Sequence, residues 1–448
     1  MGRLFGTDGV RGLANSELTC KLAFELGQAG AYVLTMAKHK PRILIGRDTR
    51  ISGDMLEAAL TAGICSVGAE AIVVGILPTP AVAYLTHHYG ADAGVVISAS
   101  HNAMEYNGIK FFDSRGYKLP DELEDRIERI ILDGAEEMPV PVGIEVGRRV
   151  RVRNAVKDYA EFLKSTIDTD LKGLRLALDC ANGASYEAAP LVFESLGAEV
   201  LTIYDTPDGT NINDYCGSTH PEKLQSYVLE VGADVGLAFD GDADRLIAVD
   251  EHGNLVDGDQ IMLICGLDMR ERGLLKQNTV VGTVMSNLGL DIALKDAGCR
   301  LEKTRVGDRY VLERMLECNY YLGGEQSGHI IFLNHNTTGD GILTALQMLS
   351  VVKRSGKRLS VLASGMRKLP QVLVNARVSE QKKHSYTDDE VIQEEIRKIE
   401  SRFREEGRVL IRTSGTEPMV RVVIEGTDQR VIEEEAVRLA RLIEQRLA

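Results

Sequence analysis

The sequence has no apolar run of the length, about 18 residues, that is needed to cross a membrane. It also begins without the apolar core of a secretory leader, so we expect a cytoplasmic protein with no membrane partner. Positive charge is in deficit, because 52 Lys and Arg against 66 Asp and Glu give a formal net charge of −14. This charge disfavours binding to nucleic acid or to anionic lipid, but it allows a small phosphorylated ligand at a local basic site.

Cysteine is sparse, and its seven copies are scattered with no C-x-x-C pair. The sequence therefore predicts neither a disulfide framework nor a zinc site, and it is typical of a protein from a reducing compartment. Glycine, in contrast, is abundant at 44 of 448 residues. The glycine-containing loops are consequently the first places in which to look for ligand binding.

Three segments share one pattern, in which a β-branched apolar run is followed by a helical run and then by a glycine and a second apolar run. The glycines that end the helical runs are Gly68, Gly197 and Gly298. This is the pattern of a βαβ unit, and it predicts parallel or mixed sheets covered by helices. The units recur roughly every hundred residues, a spacing that suits tandem domains and is too long for a solenoid.

The chain from about residue 370 onward differs, with strand-like runs around polar helical stretches and one final amphipathic helix. Length alone favours three domains, but this last segment raises the predicted number to four. We predict an α/β fold of three tandem α/β domains with mixed sheets, plus a smaller C-terminal α+β domain, with an active-site cleft between them. The predicted domains are 1–150, 151–255, 256–369 and 370–448.

The first loop of interest follows the apolar run Ala93–Ile97 and reads S-A-S-H-N. A buried strand that ends in small polar residues presents a hydroxyl at the carboxyl edge of a sheet, where open α/β sheets bind ligands. Ser100 is therefore a candidate nucleophile, with His101 beside it and Lys110 as a base or charge partner. The alternative is a turn that satisfies its own backbone. The G-x-S-x-G motif of α/β-hydrolases is absent, which disfavours acyl transfer.

The second loop carries Asp240, Asp242 and Asp244, which can converge on one hard cation in a tight turn. Its spacing resembles a calcium-binding EF-hand loop, but Arg245 stands where that loop needs glycine and the flanks are strand-like. A purely structural acidic turn is a further alternative, although three such carboxylates repel one another unless a cation neutralises them. Few acidic ligands and an open coordination sphere favour Mg²⁺ shared with a phosphate oxygen.

The third loop, G-G-E-Q-S-G-H, places Glu325, Ser327 and His329 between glycines. A carboxylate, a hydroxyl and closely approachable backbone suit a ligand that is rich in hydroxyl groups. A turn with a solvated histidine explains the same residues equally well.

The fourth loop, R-T-S-G-T-E-P, contains an S-x-x-E pattern that imitates a helix capping box. The residues that follow it alternate like a strand, so the helix that such a box would cap is missing. A glycine turn with two hydroxyls and flanking arginines suits a phosphate instead. The candidate ligands are Arg412, Ser414, Gly415, Thr416 and Arg421.

The four loops occur in the order found in the α-D-phosphohexomutase superfamily, which the chain resembles over essentially its whole length. Within that superfamily, the opening F-G-T-D-G-V-R-G and the variant G-E-Q-S-G-H are most similar to bacterial members that act on glucosamine phosphates. One departure is Ala103, where relatives usually carry proline after S-H-N. This departure removes no reactive group.

The resemblance implies an isomerase that interconverts the 6- and 1-phosphates of a small-molecule hexosamine, on the route to cell-wall precursors. It implies a phosphoserine at Ser100, a sugar 1,6-bisphosphate as activator and intermediate, and one Mg²⁺ per active site. The implied metal ligands are the phosphate on Ser100 together with Asp240, Asp242 and Asp244. The implied catalytic residues are Ser100, Arg11, His101, Lys110 and His329, with the general base left open between Lys110 and His329. The implied substrate-binding residues are Arg245, Glu325, Ser327, Arg412, Ser414, Gly415, Thr416 and Arg421.

Other functions fit parts of the same pattern. The nearest is the same chemistry on mannose or glucose phosphate, from which the sequence separates this chain only through Gln326 and the resemblance. A non-catalytic sugar-phosphate sensor would lack the nucleophile or a metal carboxylate, and this chain has both. A calcium-binding module is the weakest alternative. The sequence leaves the oligomeric state open, and a homodimer is one possible assembly.

Overall fold

The computed structural model describes residues 3–6, 8–35, 40–404, 406–413 and 418–448. Within these residues the strands form four sheets, of six, five, four and three strands. Each helix in this part of the chain is too short or too polar to span a bilayer. The predicted fold class, with several mixed sheets and a small antiparallel C-terminal sheet, is confirmed.

The first sheet has the strand order β1-β5-β4-β2-β3-β6. Its strands are β1 (Val10–Leu13), β2 (Arg42–Arg47), β3 (Glu70–Ile76), β4 (Ala93–Ile97), β5 (Tyr106–Asp113) and β6 (Arg149–Arg151). Its helices are α1 (Cys20–Thr35), α2 (Ser52–Ser66), α3 (Thr79–His88) and α4 (Asp121–Asp133). Strands β4, β2, β3 and β6 pair with one another in parallel, whereas β5 pairs antiparallel with both β4 and β1. The predicted serine loop therefore leaves the carboxyl end of β4.

The second sheet has the order β11-β10-β9-β7-β8. Its strands are β7 (Arg175–Asp179), β8 (Glu199–Ile203), β9 (Val235–Phe239), β10 (Leu246–Asp250) and β11 (Leu255–Val256). Its helices are α5 (Ala155–Ser165), α6 (Ser185–Ser195) and α7 (Glu222–Val231). Strands β9 and β10 are antiparallel neighbours, and the predicted carboxylate loop is the turn that joins them.

The third sheet has the order β13-β12-β14-β15. Its strands are β12 (Thr279–Thr283), β13 (Arg300–Thr304), β14 (Leu322–Gly324) and β15 (Ile330–Phe332). The helices of this part of the chain are α8 (Gly258–Glu271), α9 (Leu288–Asp296), α10 (Asp308–Cys318), α11 (Gly341–Ser355) and α12 (Leu359–Ala363). The predicted sugar-binding loop is the turn between the antiparallel strands β14 and β15.

The fourth sheet is antiparallel, in the order β16-β18-β17. Its strands are β16 (Gln371–Arg377), β17 (Gly407–Thr413) and β18 (Met419–Gly426), and its helices are α13 (Glu390–Phe403) and α14 (Gln429–Leu447). The apolar face predicted for the last helix is buried in the core of this part. Its residues are Ile432, Ala436, Leu439, Ile443 and Leu447.

The three predicted βαβ units are confirmed, with helices α2, α6 and α9 between their strands. Gly68, Gly197 and Gly298 follow these helices with φ of +91°, +91° and +68°. Such left-handed backbone is strained for residues with a Cβ, so a glycine there ends the helix at low cost.

The chain divides into two compact units. One comprises Met1–Met285 and Leu301–Gly365, and the other comprises Ser286–Arg300 and Met366–Ala448. Helix α9 belongs to the second unit because buried Glu425 accepts hydrogen bonds from Leu288 N–H (3.1 Å) and Arg408 Nε (2.7 Å). The predicted boundaries at 150, 255 and 370 describe a finer division and stay predictions.

Candidate active site

The serine loop places Ser100 in a buried, left-handed conformation with φ of +52°. Its backbone N–H donates to Ser98 Oγ at 2.9 Å, so the self-satisfying turn exists. Its hydroxyl is used differently, because Oγ donates to Asp240 Oδ2 at 2.7 Å and lies 3.4 Å from His101 Nδ1. The local strain at Ser100 thus presents the hydroxyl to the carboxylate loop.

Arg50, which is fully buried, anchors the backbone of the serine loop. Its Nε donates to Asp48 Oδ2 at 2.9 Å, and its Nη2 donates to the carbonyls of Ser100 (2.9 Å) and Asn102 (2.8 Å). Its Nη1 donates to the carbonyl of Ala103. The guanidinium fork therefore holds the loop at the position where the superfamily's usual proline is missing.

The carboxylate loop brings oxygens of Asp240, Asp242 and Asp244 within 4.8 Å of one another, and all three residues are buried. Asp242 Oδ2 accepts hydrogen bonds from Thr79 Oγ1 (2.7 Å) and Lys110 Nζ (3.2 Å). Asp242 Oδ1 and Asp244 Oδ1 are buried and make no hydrogen bond with the residues that the structure describes. Oxygens left in this state are costly unless a cation binds them.

The pKa values of the three aspartates differ in direction. Burial, followed by the charges of the neighbouring aspartates, raises the pKa of Asp240 and of Asp244. Burial acts the same way on Asp242, but the Lys110 charge and the Thr79 hydrogen bond outweigh it and lower its pKa. The crowded carboxylates and their unpaired oxygens fit a hard metal ion, so this group could hold one.

A second set of charges lies next to the carboxylate loop, and we call Lys110, Asp8, Lys118 and Asp308 the lysine–aspartate cluster. Lys110 is buried, and the other three side chains are 20% to 24% exposed. Lys110 Nζ is 3.0 Å from Asp8 Oδ2, and Lys118 Nζ is 2.8 Å from Asp8 Oδ1. Lys118 also pairs with Asp308, and Arg11 pairs with Asp8. Burial opposes ionisation of both carboxyls, yet the lysines hold the pKa of Asp8 well below its usual value and that of Asp308 at about 2. Lys110 keeps a raised pKa despite burial because Asp242 and Asp8 face it.

The two histidines of the site have different surroundings. Burial, helped by the charges of Arg245 and Arg11, lowers the pKa of His101 to about 4, so its ring is neutral near pH 7. His329 is buried, and neither ring nitrogen makes a hydrogen bond with any described residue. Its Nε2 lies 3.8 Å from Asp244 Oδ2 and 3.7 Å from Asp308 Oδ2. The ring therefore stands between the carboxylate loop and the lysine–aspartate cluster.

The polar side chains in the turn between β14 and β15 differ in their contacts and exposure. Glu325 Oε1 accepts from the N–H of Gly307 at 3.0 Å, and Ser327 is exposed. Gln326 Nε2 donates to Asp257 Oδ2 at 3.4 Å, so it contacts the N-cap of α8. Burial opposes the charge of Arg245, but the three aspartates of the carboxylate loop and, to a smaller extent, Glu325 raise the pKa of its guanidinium.

A cavity of about 330 Å³ opens beside these groups. Lys118, Asp308 and His329 are among its lining residues. Its volume lies within the usual range for small-molecule sites.

The predicted phosphate loop is described only at its flanks. Arg412 on β17 and Arg421 on β18 lie directly opposite each other in the antiparallel register, both in the second compact unit. Like charges in such a pair disfavour it unless an anion is bound. Ser414, Gly415 and Thr416 lie outside the described residues.

The structure thus groups many predicted site residues in the first unit. These are Arg11, Ser100, His101, Lys110, Asp240, Asp242, Asp244, Arg245, Glu325 and His329.

Sequence reasoning missed Arg50, Asp8, Lys118 and Asp308. Asp8 had a signal, since it stands in the same opening motif as Arg11. The other three carry no local pattern, because only the fold brings them to the site.

Four family models match successive segments of the chain. Their descriptions are phosphoglucomutase/phosphomannomutase alpha/beta/alpha domain I (residues 2–138), domain II (157–253) and domain III (257–369), and the C-terminal domain (373–442). A protein of Acetivibrio thermocellus named phosphoglucosamine mutase is 65% identical over 448 residues, which is 100% of both chains.

Solved structures of similar fold include a phosphoglucomutase/phosphomannomutase family protein from Burkholderia thailandensis. Its TM-score is 0.81 at 23% identity, over 99% of this chain and 98% of that one. An N-acetylphosphoglucosamine mutase from Aspergillus fumigatus, in complex with GlcNAc-6P and magnesium, has a TM-score of 0.69 at 18% identity, over 100% of this chain and 96% of that one. At these identities the similarity concerns the fold alone.

Proposed function

The chain belongs to the phosphoglucomutase/phosphomannomutase family, and from this membership we propose that it interconverts glucosamine 6-phosphate and glucosamine 1-phosphate. The choice of sugar is supported by the full-length relative that is named phosphoglucosamine mutase. The chemistry is supported above all by one observation. The buried hydroxyl of Ser100 is 2.7 Å from Asp240 Oδ2. The carboxylate loop that contains Asp240 also has two buried oxygens, one on Asp242 and one on Asp244, that make no hydrogen bond with a described residue.

In this proposal Ser100 carries a phosphoryl group in the active enzyme. Mg²⁺ would be held by that phosphate together with Asp240, Asp242 and Asp244, and when bound it supplies positive charge that neutralises the phosphoryl oxygens. The raised pKa values of Asp240 and Asp244 show that the three buried carboxylates have too little positive charge around them without a metal ion.

Two half-reactions account for the interconversion. In the first, the bond between phosphorus and Ser100 Oγ breaks while a bond forms from phosphorus to the free C1 hydroxyl oxygen of glucosamine 6-phosphate. The sugar hydroxyl proton passes to a base, Ser100 Oγ takes up a proton as it leaves, and the product is glucosamine 1,6-bisphosphate. After the bisphosphate reorients, the bond between phosphorus and O6 breaks while a bond forms from phosphorus to Ser100 Oγ, which gives up its proton as O6 takes one up. Such transfer depends mostly on positioning and charge neutralisation.

We assign Lys110 to stabilising the transferring phosphoryl group, because its raised pKa keeps it charged. Arg11, which pairs with the same oxygen of Asp8 as Lys110, would assist it. We assign the proton to His329, whose ring nitrogens make no hydrogen bond with the described residues. The neutral ring of His101 would orient the Ser100 hydroxyl.

Substrate binding would use residues of the third and fourth predicted loops together with Arg245. Arg245, Glu325 and Ser327 would contact the sugar hydroxyls. Arg412 and Arg421, with residues 414–416, would grip the phosphate that is not reacting. The direct opposition of the two arginines supports this assignment, since an anion between two guanidinium groups removes their repulsion.

We further propose the domain division 1–150, 151–255, 256–369 and 370–448, with each predicted loop in a different domain. The four matched segments support it. A reducing, cytoplasmic location is supported by the free thiols of Cys20, Cys65, Cys180, Cys216, Cys265 and Cys318.

Two measurements test the proposal. Comparison of kcat/KM for glucosamine, glucose and mannose phosphates, with the matching bisphosphate present, should favour glucosamine. A clear preference for glucose 1-phosphate would overturn the choice of sugar. Peptide mass spectrometry should find a phosphate on the Ser100 peptide that substrate removes. Full, sustained turnover by Ser100→Ala would overturn the phosphoserine mechanism, and Ser165→Ala, at the exposed last residue of α5, is the control.

A further inference from the structure

Lys118 stands at the centre of the lysine–aspartate cluster, although none of the four loops contains it. Its Nζ reaches Asp8 Oδ1 at 2.8 Å and also pairs with Asp308 Oδ2. Asp8 comes from the N-terminal segment before β1, whereas Asp308 is the first residue of α10. One cation therefore joins two segments that are 300 residues apart in sequence.

Each partner of Lys118 in turn contacts a residue to which we assign a role in phosphoryl transfer. Asp8 Oδ2 is 3.0 Å from Lys110 Nζ, which also bonds to Asp242. Asp308 Oδ2 is 3.7 Å from His329 Nε2. The two partners of Lys118 thus contact Lys110, which would stabilise the phosphoryl group, and His329, which would accept the proton.

We infer that Lys118 is a positioning residue that fixes Lys110 and His329 together, through Asp8 on one side and Asp308 on the other. This inference rests on the proposed function, from which the roles of Lys110 and His329 come. It goes further in assigning a role to a residue that touches neither the candidate nucleophile nor the candidate metal ligands.

The charges explain why Lys118 is needed on the Asp308 side in particular. Without Lys118, Asp8 would keep Lys110 and Arg11 as partners. Asp308 would keep only His329, beyond hydrogen-bond distance, among the partners that the structure records for its carboxylate. A poorly compensated carboxylate in a largely buried place either moves towards another partner or draws one to it.

The cavity shows why this movement matters for activity. Lys118, Asp308 and His329 line the same cavity of about 330 Å³, so a shift of Asp308 changes the surroundings of His329, the proposed proton acceptor. A displacement of about 1 Å in a group that positions the reaction can lower the rate about 100-fold.

The test uses the full-length enzyme with saturating sugar bisphosphate. The variants are Lys118→Met, Lys118→Arg, Asp308→Asn and the double variant Lys118→Met/Asp308→Asn. The matched control is Lys164→Met, which removes a lysine from the ion pair with Glu161 (2.5 Å) on the surface of α5. For each protein, kcat, KM and Tm are measured with glucosamine 6-phosphate.

We expect Lys118→Met to lower kcat about 100-fold and to change KM by less than about threefold. Lys118→Arg should recover most of the lost kcat, since a guanidinium can also hold two carboxylates. The double variant should lose no more than the worse single variant, because both substitutions break the same link. Lys164→Met should match the wild type in kcat and KM.

Three results would overturn the inference while leaving the proposed function intact. They are a Lys118→Met variant with wild-type kcat, losses that multiply in the double variant, and a kcat loss equal to the fraction of protein that has unfolded. Failure of the proposed function is seen separately, as a wild-type enzyme that does not convert glucosamine phosphates.

Discussion

Two groups of carboxylates lie side by side in the first compact unit, one buried and one partly exposed, and their electrostatic surroundings are opposite. Asp240 and Asp244 have raised pKa values, and Asp244 Oδ1 makes no hydrogen bond with any described residue. Asp8 and Asp308 are instead held by lysines and have lowered pKa values. Aspartate side chains thus lack a compensating positive charge in the first group and have one in the second.

The carboxylate loop could therefore hold an added cation. In the lysine–aspartate cluster, the lysines already supply the positive charge. Burial penalises all four carboxylates, so what distinguishes them is the partner. Asp242 stands between the two groups, since it belongs to the carboxylate loop but also bonds to Lys110. We expect substitutions in the carboxylate loop to change how the protein responds to Mg²⁺. Substitutions in the lysine–aspartate cluster should change the stability of the protein without Mg²⁺.

The largest effect should come from Asp242→Asn, which removes a candidate metal ligand and the carboxylate partner of Lys110. We expect kcat to fall about 1,000-fold, as when a preorganised charge is lost from an active site. Turnover assays across a range of Mg²⁺ concentrations measure the loss. Asp250→Asn, at the distant end of β10, is the control. A kcat near the wild-type value would remove the metal assignment.

A smaller effect should appear when Mg²⁺ binds without substrate. At 100 times its Kd, a ligand that binds only the folded state adds about 2.7 kcal/mol to the free energy of unfolding. We expect a corresponding rise in Tm for the wild type and for Asp308→Asn, but none for Asp242→Asn. Scanning calorimetry with Mg²⁺ or with a chelator measures it, and an equal rise in all three proteins would contradict the comparison.

In the presence of a chelator, the two groups should respond to neutralisation with opposite signs. Asp244→Asn removes a charge that repels its neighbours, so we expect the free energy of unfolding to rise by about 1 kcal/mol. Asp308→Asn leaves Lys118 with one partner fewer and should lower it by about 2 kcal/mol. Urea denaturation of the metal-free proteins gives both values. Changes of the same sign would show that the groups are electrostatically alike.

The last comparison concerns acid stability. The pKa of Asp308 is about 2 in the folded protein and about 3.9 in an unfolded chain. A lowered folded pKa contributes stability that is present above the unfolded pKa and is lost as the pH falls through the folded pKa, in total about 2.6 kcal/mol. Denaturation curves between these pH values should therefore fall less steeply for Asp308→Asn than for the wild type. Parallel curves would contradict the assignment.

The sequence predicted much of the fold because its signals are local. The helix-ending glycines at 68, 197 and 298 and the apolar face of α14 each depend on residues within one or two turns of chain. The loops after β4, between β9 and β10, and between β14 and β15 were visible for the same reason, as polar residues at the ends of apolar runs.

The site could be predicted only in part from such signals. The spacing of Asp240, Asp242 and Asp244 within a single turn suggested a cation directly. Gln326, singled out for sugar choice, contacts Asp257, the N-cap residue of α8, which its own loop does not indicate. No local pattern indicates that Arg50 supports the serine loop, because its carbonyl partners lie about 50 residues away.

The sequence by itself therefore determined the α/β architecture, the candidate nucleophile and the three carboxylates, since each is set by neighbours along the chain. Only the tertiary structure decided which buried charges are paired. Lys118 meets Asp8 and Asp308 across 110 and 190 residues, and its electrostatic environment depends on distance in space, which the order of residues does not specify.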